Sequence, residues 1–127
     1  MKRIITYGTF DCLHLGHIRI LRRAKDLGDE LYVGLSSERF NKIKGKNTAF
    51  NYKERKELLE ISKIPDYVFK EDNWGQKEND IKKYKIDVLV MGDDWEGEFD
   101  DLPCETKYFK RTPLISTSKI KKRCVNL

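Results

Sequence analysis

Apolar residues arrive along this chain in short bursts, separated by stretches with helical period. Arg3-Ile4-Ile5-Thr6-Tyr7 reads as a buried strand. From Ile18 to Leu27, the residues Ile20, Leu21, Ala24 and Leu27 line one side of a helix, with Gly28 at its C-terminal end. Glu30 to Ser36 gives a second strand, and a Lys- and Asn-rich loop runs from Asn41 to about Asn51. Tyr52 to Ser62 is a helix carrying Leu58, Leu59 and Ile61; Tyr67 to Glu71 is a short strand. Trp74 to Tyr84 comes next as a charged helix, then Asp87 to Gly92 as an almost wholly apolar strand. Glu105 to Lys110 makes a fifth strand before a final helix. No internal repeat or low-complexity linker interrupts the series.

Strands separated by helices imply right-handed crossovers, and so a parallel sheet with helices on both faces: the α/β class. In such sheets ligands bind outside the carboxyl ends of the strands, where the strand order reverses. A length of 127 residues fits a single domain spanning 1–127 with one modest core. With 39% hydrophobic and 37% charged residues, the chain fits a globular protein with a heavily charged surface, and no run reaches the length of a membrane span. Met1-Lys2-Arg3 is basic, but the stretch from Ile4 to Asp11 is too short and too polar for a signal-peptide core. Cys12, Cys104 and Cys124 form no CxxC pair, and their odd number argues against a disulfide framework, so a cytoplasmic address is expected.

The net charge of +5 raises the question of nucleic acid. Its lysines cluster at Lys42-Ile43-Lys44-Gly45-Lys46, at Lys82-Lys83-Tyr84-Lys85 and at Lys119-Ile120-Lys121-Lys122-Arg123. Acidic residues are interleaved through most of the chain and no nucleic-acid-binding motif accompanies the clusters. A polyphosphate substrate accounts for local positive charge better than a long polyanion does.

The chemistry concentrates in Tyr7-Gly8-Thr9-Phe10-Asp11-Cys12-Leu13-His14-Leu15-Gly16-His17. This stretch joins the first strand to the first helix, where unpaired backbone N–H groups and the positive dipole end favour an anion. Gly8 and Gly16 allow the backbone to turn and to approach a ligand closely. His14 and His17, three apart, reach one ligand from the same side. A metal pair is the rival reading, yet the chain has no third histidine and only Cys12 lies near, so a zinc site lacks ligands. The turn is suited to a phosphate.

Gly8-Thr9-Phe10-Asp11 followed by His14-Leu15-Gly16-His17 resembles the signature of the cytidylyltransferase-like nucleotidyltransferase superfamily, and Ile115-Ser116-Thr117-Ser118 is similar to its second signature. Tyr52 to Lys56, Asn73 to Lys77, Met91 to Asp100 and Arg111-Thr112 resemble its glycerol-3-phosphate cytidylyltransferase branch, and the likeness runs from Met1 to about Lys122. The resemblance implies a Rossmann-like, doubly wound sheet of about five strands in the order 3-2-1-4-5. It also implies transfer of CMP from CTP to glycerol 3-phosphate, giving CDP-glycerol and pyrophosphate for teichoic-acid-like or capsular polymers. On the same basis His14, His17 and Arg111 are expected to be catalytic. Thr9, Phe10, Gly16, Lys46 and Asp94 would serve the nucleotide, together with Thr112, Ser116, Thr117 and Ser118. Lys44 and Lys77 would grip the acceptor phosphate, and Arg55 would order a helix near the crevice through ion pairs. Mg²⁺ would be carried on CTP with no dedicated protein metal site, and the chain would be a homodimer.

Leu15, Lys63 and Leu114 depart from the residues common among close relatives, and the segment from Asp101 to Cys104 is shortened. These departures leave open another acceptor, such as ethanolamine phosphate or a different polyol phosphate, and adenylyl in place of cytidylyl transfer. A nucleotide-binding module without activity is the alternative of another class; the intact histidine and Ile-Ser-Thr-Ser motifs argue against it.

Overall fold

The longest apolar runs become three central strands buried on both faces. In the computed structural model, which describes residues 1–110, these are β1 (Arg3–Gly8), β2 (Glu30–Ser36) and β4 (Val88–Gly92). The more polar β3 (Tyr67–Glu71) and β5 (Glu105–Phe109) form the edges. All neighbours pair in parallel, in the order β3-β2-β1-β4-β5. The order reverses between β1 and β4, so the chain is doubly wound, as the family resemblance implies.

Parallel pairing demands crossovers, and the intervening residues supply them as helices. α1 (Leu15–Lys25) joins β1 to β2, while α2 (Glu38–Ile43) and α3 (Tyr52–Ser62) join β2 to β3. α4 (Lys77–Lys83) leads from β3 toward β4. Strand side chains alternate between the faces, so each strand feeds two cores. Ile4, Leu31, Val33, Val88 and Val90 pack with Leu21 and Ala24 of α1 and Leu59 of α3. Ile5, Leu89 and Met91 pack on the other face with Phe69, Ile86 and Ile81 of α4.

Several boundaries differ from those expected. α1 begins at Leu15 rather than Ile18, because the His14 side chain caps it. Gly28 does not sit in the left-handed region; a Cβ there would lie 2.7 Å from the Lys2 carbonyl, so close approach to the start of β1 is what requires glycine. Ser37 caps α2 through a bond from Phe40 N, and this helix runs into the stretch read as loop. Trp74–Gln76 is a 3-10 turn, with α4 starting only at Lys77. On α3, Leu59 is buried but Ile61 is 66% exposed, and Arg55 is buried instead. The expected final helix lies outside the described residues.

Candidate active site

The carboxyl ends of the central strands open on a crevice of about 980 Å³ beside the switch point. The turn after β1 forms one wall. A Cβ on Gly8 would come within 2.8 Å of the Phe10 ring, so glycine lets that ring fold back over the strand end. Phe10 and Cys12 carry φ of 47° and 49°, left-handed values costly for side chains of their kind. Neighbouring contacts hold the turn in this shape. The buried Asp11 carboxylate accepts from Ala49 N at 2.8 Å and from Phe50 N at 3.1 Å, tying down the loop that carries Lys46. Arg55, fully buried, donates to the carbonyls of Thr9, Ser36 and Phe50 and pairs with Glu38 at 2.8 Å. The ion-pair role expected for Arg55 is present, and its fork also joins the ends of β1 and β2.

The two histidines cap α1 reciprocally. His14 Nδ1 accepts from Gly16 N at 3.0 Å, and His17 Nδ1 accepts from His14 N at 3.3 Å. Accepting at Nδ1 leaves the proton of each neutral ring on Nε2. The rings stack with centroids 3.9 Å apart, and Phe10 meets His17 edge-on. His14 Nε2 is buried without a hydrogen-bond partner among the described residues. Burial also lowers the pKa of His14, which favours the neutral ring. A buried N–H donor left unpaired beside a helix N-terminus is matched by an anionic ligand oxygen.

Lys44 and Lys77 line the crevice as well, and Lys44 Nζ reaches Thr9 Oγ1 of the turn at 3.4 Å. Lys44 Nζ donates to Ser36 Oγ at 2.6 Å and lies 4.7 Å from the Phe40 ring centre. Burial, with help from Lys46, Lys77 and Arg55, pulls its pKa down to about 8 against the opposing pull of Glu71. Lys77 is 4% exposed and pairs with Glu71 at 2.9 Å. The rings of Tyr7 and Phe99 stand 4.6 and 5.0 Å from its ammonium, a cation–π box that partly replaces lost water.

The crevice brings together Thr9, Phe10, His14, Gly16, His17, Lys44, Lys46, Lys77 and Asp94. Arg111, Thr112, Ser116, Thr117 and Ser118 lie outside the described residues. Trp74, which by itself reads as a core residue, is 50% exposed on the crevice rim. The sequence reading missed Asp11, Ser36 and Glu71 as site-building groups. The signal for Asp11 was its place inside the phosphate-turn motif. Ser36 and Glu71 end apolar strands that lead toward the site. Among the described residues, no group of three or more His, Cys, Asp or Glu side chains is placed to hold a metal. No described helix is long and apolar enough to cross a membrane.

A cationic crevice at the switch point of a 3-2-1-4-5 sheet places the chain among the Rossmann-like nucleotidyltransferases. The family model described as Cytidylyltransferase-like matches residues 5–123, and the chain belongs to that family. It is 56% identical over 123 residues to the glycerol-3-phosphate cytidylyltransferase of Staphylococcus aureus (strain NCTC 8325 / PS 47), covering 95% of this chain and 93% of that one. It is 53% identical over 129 residues to the enzyme of the same name from Bacillus subtilis (strain 168), covering 100% of both. Among solved structures, the lipopolysaccharide core biosynthesis protein from Thermoplasma volcanium GSS1 superposes with a TM-score of 0.75 at 26% identity, covering 88% of this chain and 98% of that one.

Proposed function

We propose that the chain transfers the cytidylyl group of CTP to glycerol 3-phosphate, forming CDP-glycerol and pyrophosphate. An oxygen of the acceptor phosphate bonds to the α-phosphorus of CTP as the bond from that phosphorus to the bridging oxygen breaks. The electron pair leaves with pyrophosphate. A phosphomonoester is largely ionised at neutral pH, so the step needs alignment and charge stabilisation more than a base. The observation that carries this reading is the buried Nε2–H of His14, which has no partner among the described residues. It is a preorganised donor for charge that gathers on the reacting phosphates.

In this reading His17 joins His14 on those phosphates, while Thr9, Phe10 and Gly16 form the wall against which the nucleotide lies. Lys46 takes the triphosphate, and Lys44 and Lys77 take the acceptor phosphate. Asp94 contributes to the nucleotide pocket, and Arg111, Thr112, Ser116, Thr117 and Ser118 complete the triphosphate site. Asp11 is committed to loop amides, which suits Mg²⁺ being held by the CTP phosphates. Bound there, the ion offsets phosphate charge. The choice of CTP and glycerol 3-phosphate rests on full-length likeness to the relatives so named. Their product suits synthesis of glycerol-phosphate polymers of the teichoic or capsular kind.

Pyrophosphate release tests the reading with CTP, ATP, GTP and UTP, each paired with glycerol 3-phosphate, ethanolamine phosphate and other polyol phosphates. CTP should exceed the other nucleotides by roughly three orders of magnitude in kcat/KM, because a pocket that hydrogen-bonds one base edge leaves groups unpaired with the others. Equal turnover of ATP would sink the cytidylyl assignment. A different preferred acceptor would sink the glycerol assignment alone.

A further inference from the structure

Glu71 stands between the two lysines assigned to the acceptor. Its Oε2 accepts from Lys77 Nζ at 2.9 Å, and its Oε1 accepts from Ser36 Oγ at 3.2 Å. Ser36 Oγ accepts in turn from Lys44 Nζ at 2.6 Å. Ser36 and Glu71 are register partners in the β2–β3 ladder, so sheet pairing fixes their spacing. Ser36, Glu71 and Lys77 are 0%, 3% and 4% exposed. Buried ion pairs contribute little to stability compared with apolar packing, because desolvation offsets their attraction. A chain that keeps two ammonium groups and one carboxylate at the floor of its crevice gains little stability from them, so their value lies in the site.

We propose that Glu71 is a positioning residue of the acceptor subsite, holding Lys77 directly and Lys44 through Ser36 so that both ammonium groups face the phosphate of the incoming phosphomonoester. This rests on the acceptor role given to the two lysines above. The aromatic box around Lys77 leaves Glu71 as its anionic partner, so the carboxylate sets where that ammonium sits. Charge matters as well as geometry. Lys46 beyond α2, Lys77 on α4 and Arg55 on α3 all press Lys44 to lose its proton, and Glu71 on β3 opposes them. Removing the carboxylate charge makes Lys44 deprotonate at lower pH, and the subsite then loses a cation while the acceptor is a dianion.

The test measures pyrophosphate release with saturating CTP and varied glycerol 3-phosphate across pH 6–9.5, in the parent, E71Q, E71D and S36A. The acid limb of acceptor kcat/KM belongs to the acceptor phosphate, whose second pKa is about 6. In the parent the alkaline limb should fall near 8, where Lys44 loses its proton. In E71Q the acceptor KM should rise about tenfold or more, since hydrogen bonds to charged groups carry about 1.5–3 kcal/mol. The alkaline limb should move to lower pH, with CTP KM unchanged and kcat within about threefold, as expected when ground-state binding is what weakens. S36A cuts only the Lys44 branch and should show the same changes, smaller. E71D keeps the charge and should restore the position of the limb.

An unchanged acceptor KM with an unmoved limb in folded E71Q overturns the proposal, as does an equal loss toward CTP and acceptor. If E71Q does not fold, S36A decides by the same criteria. Calorimetric titration with glycerol 3-phosphate reads the same weakening without turnover. A parent that binds glycerol 3-phosphate but releases no pyrophosphate would therefore defeat the proposed function while still judging Glu71. A parent that does not bind it overturns both.

Discussion

At the scale of single residues, His14 has two separable duties. Its Nδ1 caps α1 and its buried Nε2 carries a proton that no described residue accepts. Alanine removes both, and losing the cap alone costs about 1 kcal/mol. Asparagine retains a capping oxygen and removes only the outward donor. His14→Asn should therefore melt near the parent temperature while kcat falls by roughly 10²–10⁴-fold, the range for well-placed acid–base or oxyanion donors. Burial holds the His14 pKa below its ordinary value, so the ring stays neutral at pH 7 and Nδ1 keeps the lone pair that caps α1 and holds Nε2–H in place; protonation would cost that cap. Parent kcat should consequently be flat above the ordinary histidine pKa of about 6.5 and decline only on the acid side. A His14→Asn enzyme with parental melting and parental kcat would make the histidine turn a structural cap and nothing more. His17 shares the stack and the crevice, and His17→Ala should lower kcat over the same range of roughly 10²–10⁴-fold.

At the scale of elements, the strands were legible because burial on both faces demands unbroken apolar runs, and Ile4-Ile5 and Val88 to Met91 are such runs. α2 was not legible. Of its six residues only Phe40 and Asn41 are buried, too few to make a period, and its start depends on a Ser37 cap that resembles any turn serine. Ile61 is exposed where an apolar helix face was expected, and the full burial of Arg55 follows from the Thr9 and Ser36 carbonyls at the ends of β1 and β2, which no local pattern reveals. The same holds for Glu71 and Ser36, whose partnership is set by strand register. The candidate site was therefore readable where a motif lies in one stretch, and hidden where distant strand ends meet. Gly34 illustrates how sheet and site are joined. It lies mid-strand in β2, opposite Tyr7, and a Cβ there would fall 2.3 Å from the Tyr7 ring. That ring forms one side of the box around Lys77. Gly34→Ala should destabilise the fold by about 1–3 kcal/mol through overpacking. It should also raise acceptor KM more than CTP KM. Chemical denaturation and the two KM values check this, and an acceptor KM that stays fixed would separate the strand from the subsite.

At the scale of the whole molecule, the two ends of the sheet present different surfaces. The carboxyl end holds the crevice, while the α3–β3 connection lies at the opposite end with Lys63 left-handed at φ 58°. There Ile61 is 66% and Tyr67 47% exposed, and β3 is an edge strand. Exposed apolar side chains beside an unpaired strand edge favour association with another chain. A second copy of this chain seated there would leave both crevices open to CTP and acceptor, so dimerisation and turnover are compatible. We therefore expect a homodimer in solution. Light scattering at micromolar concentrations should give twice the 15.1 kDa chain mass. Ile61→Glu should shift the population toward monomer, because a buried unpaired carboxylate at the contact costs several kcal/mol while the same residue on a free surface costs almost nothing. A parent that scatters as a 15.1 kDa monomer throughout the micromolar range, with full pyrophosphate release, would show that this edge is managed without a partner.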